Sequence, residues 1–291
     1  VYGLPPPQDA RLPESGDWSV TGVLNISNTL NIQSSANNSL FIDGETRRLN
    51  LVFGRTLGED WRLSALLPWV EHTAGTLDRS IDRYHELFGL REGDRPGQPR
   101  DRLLFSYRHA GKQVLLLDSV ASGIGDIQLI LDRQLRQSPE TAYSLSANIK
   151  FPSGDADKLT GSGATDIGVW TTGYWKLTQN VDSSAALGLL LPGKGEILDA
   201  LQMDQVAFGN AGLQLQAASR TVLKAQLDWH TRFYEDTGID FLGDALQFAC
   251  GATWSITPGI ELDFAIAEDI RTEASPDVNF IFSVRTRSLI P

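Results

Sequence analysis

Residues 221–236 read TVLKAQLDWHTRFYED, and their alternation is strict enough to assign two faces. Leu223, Ala225, Leu227, Trp229 and Phe233 form one row; Lys224, Gln226, Asp228, His230 and Arg232 form the other. A repeat of two is that of a β-strand, whose successive side chains point to opposite sides of a sheet. A charged row backed by large apolar and aromatic groups means that the two faces meet different surroundings. In a soluble sandwich the apolar row fills the core. In an outer-membrane barrel it meets lipid, and the charged row lines a wet lumen.

The pattern recurs outward in both directions. Upstream, Leu49, Leu51 and Phe53 oppose Arg48 and Asn50, and Leu63, Ala65 and Leu67 oppose Arg62 and Ser64. Leu129 and Leu131 oppose Asp126, Gln128 and Asp132; Leu145 and Ile149 oppose Lys150; Ile167, Val169, Trp175 and Leu177 oppose Asp166 and Lys176. Downstream, strands over 243–256, 259–271 and 277–289 place Phe248, Cys250 and Trp254 on an apolar row and Asp263 and Arg285 on polar ones. About twelve strands result, with tight turns near residues 58, 138, 179, 219 and 257 alternating with longer polar connections. Short turns at one rim, long loops at the other and an even strand count suit a transmembrane antiparallel barrel with both termini in the periplasm.

One interruption falls between the third and fourth strands, over 77–121. Asp78–Leu90, DRSIDRYHELFGL, spaces Ile81, Tyr84, Leu87 and Phe88 at helical intervals, and a hairpin turning at His109–Lys112 follows. The expectation is an extracellular insert in which Ile81, Tyr84, His85, Leu87 and Phe88 restrict the entrance. Residues 1–16 are too rich in proline for a strand and predict an extended lead-in or partial plug, leaving 17–291 as the barrel.

Composition narrows the function. With 291 residues and no Pro/Ser/Gly-rich linker, the chain predicts one all-β unit. The absence of an eighteen-residue apolar run excludes a membrane helix, not a membrane barrel. A formal net charge of −11 argues against a nucleic-acid partner. The start at Val1, with no charged and apolar leader, predicts a bacterial outer-membrane chain whose signal peptide has been removed. Four scattered histidines and one cysteine have no metal-ligand spacing, so neither a metal nor a cofactor is expected.

Asp228, His230 and Arg232 suggest acid–base chemistry, but residues two apart on a strand stand roughly parallel, about 7 Å apart, and need not converge on one atom. The plainer reading places them in the lumen wall with Arg48, Arg62, Asp126, Lys150, Asp166, Lys176, Lys224, Asp263 and Arg285. Their mixed signs suit cross-strand ion pairs and create no single-sign field for strong ion selectivity. Leu223, Leu227, Trp229, Phe233, Phe248 and Trp254 are the expected lipid contacts. No Gly-x-Ser-x-Gly elbow and no serine two residues from a histidine argue for a hydrolase.

The run FPSGDADKLTGSGATDIGVW (151–170) resembles the strand-loop-strand signature of the meta-pathway phenol-degradation-like outer-membrane proteins. IDRYHELFGLREGDR (81–95) and SGIGDIQL (122–129) resemble the uncharacterised DUF3187 family. The resemblance covers most of the chain in layout and implies a twelve-stranded outer-membrane channel for small hydrophobic or aromatic compounds. It brings no catalytic residues. The ending SVRTRSLIP (283–291) departs from the terminal aromatic usual in such barrels.

The reading is therefore a non-enzymatic channel for passive uptake of a small hydrophobic or aromatic solute. Its expected partners are outer-membrane lipids or detergent, the solute, and the barrel assembly machinery during biogenesis. Two alternatives stand beside it: a barrel enzyme modifying lipid or lipopolysaccharide, and a structural or adhesive barrel with a closed lumen.

Overall fold

A computed structural model describes residues 4, 10–14, 16–79, 83, 99–270 and 278–287. Its strands are β1 (Trp18–Ser34), β2 (Asn38–Leu57), β3 (Trp61–Thr73), β4 (Leu104–His109), β5 (Lys112–Leu117), β6 (Ala121–Ile124), β7 (Gln128–Gln137), β8 (Thr141–Lys150), β9 (Asp166–Lys176), β10 (Val181–Leu191), β11 (Val206–Ala218), β12 (Thr221–His230), β13 (Ala245–Thr257), β14 (Ile260–Asp269) and β15 (Val278–Arg287). All belong to one sheet. β1 pairs with β2 on one side and with β15 on the other, which closes the ring. The wall has twelve strands; β4, β5 and β6 are additions at one rim.

Which side of the alternation faces in is clearest on β7. Leu129 and Leu131 are 40% and 42% exposed, whereas Gln128 and Asp132 are 4% and 2%. Apolar groups face out and polar groups face in, the reverse of a soluble sandwich and the pattern of a barrel in lipid. Exposed tryptophans lie towards both ends of the wall: Trp18, Trp61 and Trp254 towards the short turns, Trp69 and Trp229 towards the long loops. Such belts sit where the apolar band meets the headgroups, because indole has an apolar body and one polar N–H.

Apart from the β1–β2 turn, the short turns between wall strands lie at the rim where β1 begins and β15 ends, which is the periplasmic rim in this architecture. At the other rim the upper part of β2 leaves β3 and pairs with β4, forming a sheet that stands above the wall. Its β4–β5 turn uses positive φ at Ala110 and Gly111 (47° and 78°), the geometry that matches hairpin twist. Pro68 sits where β3 changes partner from β7 to β6, a position that spares the ladder a missing donor. The helix expected over 78–90 lies outside the described residues apart from Asp78, Arg79 and Arg83, which are helical. The other described helical elements are two 3-10 turns, Asp199–Leu201 and Asp240–Leu242.

Candidate functional site

The periplasmic half of the lumen is polar and cross-linked. Lys224 Nζ lies 2.7 Å from Asp263 Oδ1, reaching across β13, where its register partner is Gly251. Asp263 also accepts from Thr253 Oγ1 and, at 2.8 Å, from Ser283 Oγ. Arg285 meets its register partner Glu261 at 3.6 Å and Arg62 donates to Ser19 Oγ at 2.7 Å; towards the outer end of β12, Gln226 donates to Asp228 at 2.7 Å. The lead-in enters this half. Leu12 N donates to Gln134 Oε1 (2.8 Å), Gln134 Nε2 donates to Ala10 O (2.9 Å), and Arg11 stacks 3.9 Å above the Tyr174 ring. Leu4 packs against the apolar cluster farther up the barrel.

The segment 151–165, which carries the Pro-Ser-Gly and Gly-Ser-Gly motifs, turns into the barrel. Its base is a buried ion triad. Lys150 Nζ lies 2.6 Å from Asp126 and 3.1 Å from Asp166 and donates to Ser162 Oγ. Gly154 N and Ser162 N donate to Asp126 at 2.9 Å each, and Gly193 N donates to Asp166 at 3.1 Å. Two carboxylates around one ammonium leave an excess negative charge with no water to solvate it, and these N–H groups offset it. The glycines have a steric cause: a Cβ on Gly161 would strike the Asp126 carboxylate and stand 2.7 Å from the Gly154 backbone.

From this anchor a hydrogen-bonded belt runs around the outer mouth. Leu159 O accepts from His72 Nε2 (3.2 Å) on β3, and Ser162 O accepts from Glu196 N (2.9 Å) in the β10–β11 loop. That loop joins the next, 231–244, through Met203 N to Phe233 O (2.9 Å) and Glu235 N to Leu201 O (2.7 Å). Thr237 O then accepts from Ser35 Oγ and Asn38 Nδ2 at 2.8 Å each, tying the belt to the β1–β2 turn. On its exposed edge, a hydrogen bond from Lys158 holds the Asp155 carboxyl below its ordinary pKa, and the Gly238 N–H together with Arg232 does the same for Asp236.

Inside the belt the lumen is apolar. Trp170, Leu190, Val206 and Phe208 of the wall pack with Ile197, Leu198, Phe233, Tyr234 and Ile239 of the loops. They leave a cavity of about 330 Å³ bounded by Leu40, Ile42, Val70, Phe105, Tyr107, Leu159, Leu198, Phe241 and Leu242, with Thr46, Arg48 and His72 among its polar groups. Leu159 and Leu198, both on its wall, have φ of 55° and 51°. Left-handed backbone at a bulky residue is uncommon and persists where surrounding contacts over-determine it, as at binding sites.

The predicted lumen residues are dispersed along the axis. Asp126, Lys150 and Asp166 meet in the triad; Lys224 and Asp263 meet, as do Arg285 and Glu261; Arg48 lies on the cavity and Arg62 near the periplasmic rim. Asp228 and His230 stay on the inner face of β12, where His230 packs edge-on against Phe233 at 5.1 Å. Two expectations need correction. Lys176 ends β9 at the periplasmic rim, where its N–H bonds to Glu140 O in the short β7–β8 turn, and it is exposed there. Arg232 lies beyond β12 in the outer loop, 3.5 Å from Asp236 and 3.8 Å from Asp244.

Leu223, Leu227, Trp229, Phe248 and Trp254 face outward, but Phe233 does not: it is 9% exposed and packs in the interior cluster. β12 stops at His230, and Arg232 N bonds to the Asp244 carboxylate, so strand parity no longer directs the side chain. Ile81, Tyr84, His85, Leu87 and Phe88 lie outside the described residues. The interior residues of 192–205 and 231–244 were missed by alternation. The available signal was the apolar content of long loops: Ile197, Leu198, Leu201, Tyr234, Ile239, Phe241 and Leu242.

A closed antiparallel wall with an apolar exterior, aromatic belts and short turns at one rim defines a transmembrane β-barrel of the bacterial outer-membrane type. The chain belongs to the family described as "Protein of unknown function (DUF3187)", which it matches over residues 1–288. Among solved structures it is similar to the COG4313 outer membrane channel from Pseudomonas putida F1, with 13% identity, a TM-score of 0.63, and coverage of 98% of this chain and 99% of that one. The NanC porin is similar at 9% identity and a TM-score of 0.50, with 94% and 100% covered. At these identities the likeness is one of fold. No curated protein matches the chain in sequence.

Proposed function

We propose that this barrel is a passive conduit that takes up a small apolar solute across the outer membrane and carries out no chemistry on it. The carrying observation is the apolar cavity of about 330 Å³ inside the loop belt. At the packing density of protein interiors it holds roughly ten to fifteen non-hydrogen atoms. A solute entering from outside meets this cavity first and the polar periplasmic half afterwards. The fold likeness to an outer membrane channel is consistent with this order of events. Each described histidine is engaged elsewhere than with a serine: His72 with Thr46 and Leu159 O, His109 with Asn38, and His230 with Thr231 O. The reading includes the lead-in as a partial stopper, lipid as the partner of the outer band, and the assembly machinery as a partner in biogenesis.

Purified chain in liposomes provides the test. Flux of a small aromatic alcohol is expected, and Gln134→Leu, which removes both hydrogen bonds to the lead-in, is expected to raise it. Zero flux and zero conductance in planar bilayers, from the full chain, from Gln134→Leu and from a chain lacking residues 77–118, would refute the conduit.

A further inference from the structure

The cavity has one feature that an apolar solute alone does not use. Among its polar groups, most donors are already engaged. Thr46 Oγ1 lies 2.9 Å from His72 Nδ1, and His72 Nε2 donates to Leu159 O at 3.2 Å. In the neutral ring that pattern has the threonine hydroxyl donating, so both residues are satisfied within the wall. The Tyr107 hydroxyl donates to Asn38 Oδ1 at 2.8 Å, and Ser106 Oγ accepts from Gln113 at 3.0 Å. Arg48 is different. It borders the cavity, and among the described residues no carboxylate lies within 4.0 Å of its guanidinium and no acceptor is hydrogen-bonded to it. Asp126 acts on it electrostatically, but that carboxylate is committed to Lys150 and to the backbone of Gly154 and Ser162.

A half-buried guanidinium facing an apolar wall, with no carboxylate beside it among the described residues, is incompletely solvated, and its planar donor fork matches a carboxylate in two parallel bonds. The flanking wall is apolar: Val70 is Arg48's register partner on β3, and Leu40, Ile42 and Phe105 lie nearby on the same cavity. We propose that the solute is a small amphipathic acid, an aromatic or aliphatic body bearing one carboxylate that Arg48 receives. This rests on the conduit reading and narrows it from apolar compounds in general to monoanionic ones. A substrate anion would supply the counter-charge that no described residue places beside Arg48.

The test compares two ligands of nearly equal shape, 4-phenylbutyrate and 4-phenylbutan-1-ol, by calorimetric titration of the purified full chain in detergent at neutral pH. The acid is expected to bind about tenfold to a hundredfold tighter than the alcohol, the range for a charge-assisted bidentate contact. Arg48→Met is expected to bring the acid to the level of the alcohol without weakening the alcohol, and Arg48→Lys to restore part of the preference. Heat-shifted gel mobility checks that each variant is folded. An acid that binds no tighter than the alcohol in the unaltered chain overturns the inference and leaves the apolar conduit standing; this comparison needs no variant. An unchanged ratio in folded Arg48→Met also overturns it. Failure of both ligands to bind, together with absent flux, overturns the conduit and this inference together.

Discussion

Replacing Lys150 by methionine removes the only cation of the buried triad and leaves Asp126 and Asp166 facing one another without water. Lys150 and Asp166 are both 0% exposed and Asp126 is 3%, so solvent screens very little of the change. Breaking a buried ion pair by removing one partner costs about 3–5 kcal/mol, because the charge left behind is uncompensated. Here the backbone donors of Gly154 and Ser162 on Asp126, and of Gly193 on Asp166, remain and limit the loss. The expected cost is therefore about 3 kcal/mol, the lower end of that range. Urea unfolding of the protein in lipid vesicles, followed by tryptophan fluorescence, measures it. The same substitution frees the segment 151–165 from its base, so trypsin cleavage at Lys158, already half-exposed, is expected to accelerate. Asp166→Asn, which retains an acceptor for Gly193 N, is expected to cost less than Lys150→Met. A loss below about 1 kcal/mol in Lys150→Met, with cleavage at Lys158 unchanged, would refute the triad as the anchor of the belt.

Two further outcomes follow from the barrel's surroundings. Leu51→Arg, about midway along the paired length of β2 and facing outward, is expected to destabilise the barrel by about 2–4 kcal/mol, against about 0–1 kcal/mol for Leu57→Arg at the rim; equal effects in vesicle unfolding would contradict the assigned band. Asp155 and Asp236, held below the ordinary carboxylate range, are expected to titrate in the folded protein below about 3.9, the value in peptides. With a depressed folded pKa, their stabilising contribution is present above the unfolded value and is lost as pH falls through the folded one. A carbon-detected NMR titration placing either midpoint at or above the peptide value would refute the loop contacts.

Much of the wall is legible from residue order because a strand prints its orientation locally. Leu129, Leu131, Leu223 and Leu227 face outward as their alternation requires, and the turns at 58, 138, 179, 219 and 257 fall between paired strands. Parity fails where a strand ends. Phe233 continues the apolar row on paper, but three residues beyond His230 its direction comes from a bond between Arg232 N and Asp244. The ion pairs were legible as a type and not as partners. Lys150 with Asp166 follows from the β8–β9 register and Asp126 from the β7–β8 register, two residues before Lys150's partner Gln128, whereas the backbone donors of Gly154 and Ser162 reach Asp126 only because 151–165 turns into the barrel.

The amino-acid sequence by itself determined the period of two, the opposition of charged and apolar rows, the turn positions and the family signature, since each depends on neighbours a few residues apart. Only the tertiary structure decided that the outer lumen is apolar and that Arg48 borders a cavity with no carboxylate partner among the described residues. Those properties arise from contacts between distant segments, such as Leu159 O with His72 across 87 residues and Leu12 N with Gln134 across 122. Loop residues carry no periodic imprint of where they will lie, and ring closure brings the loops together over the lumen.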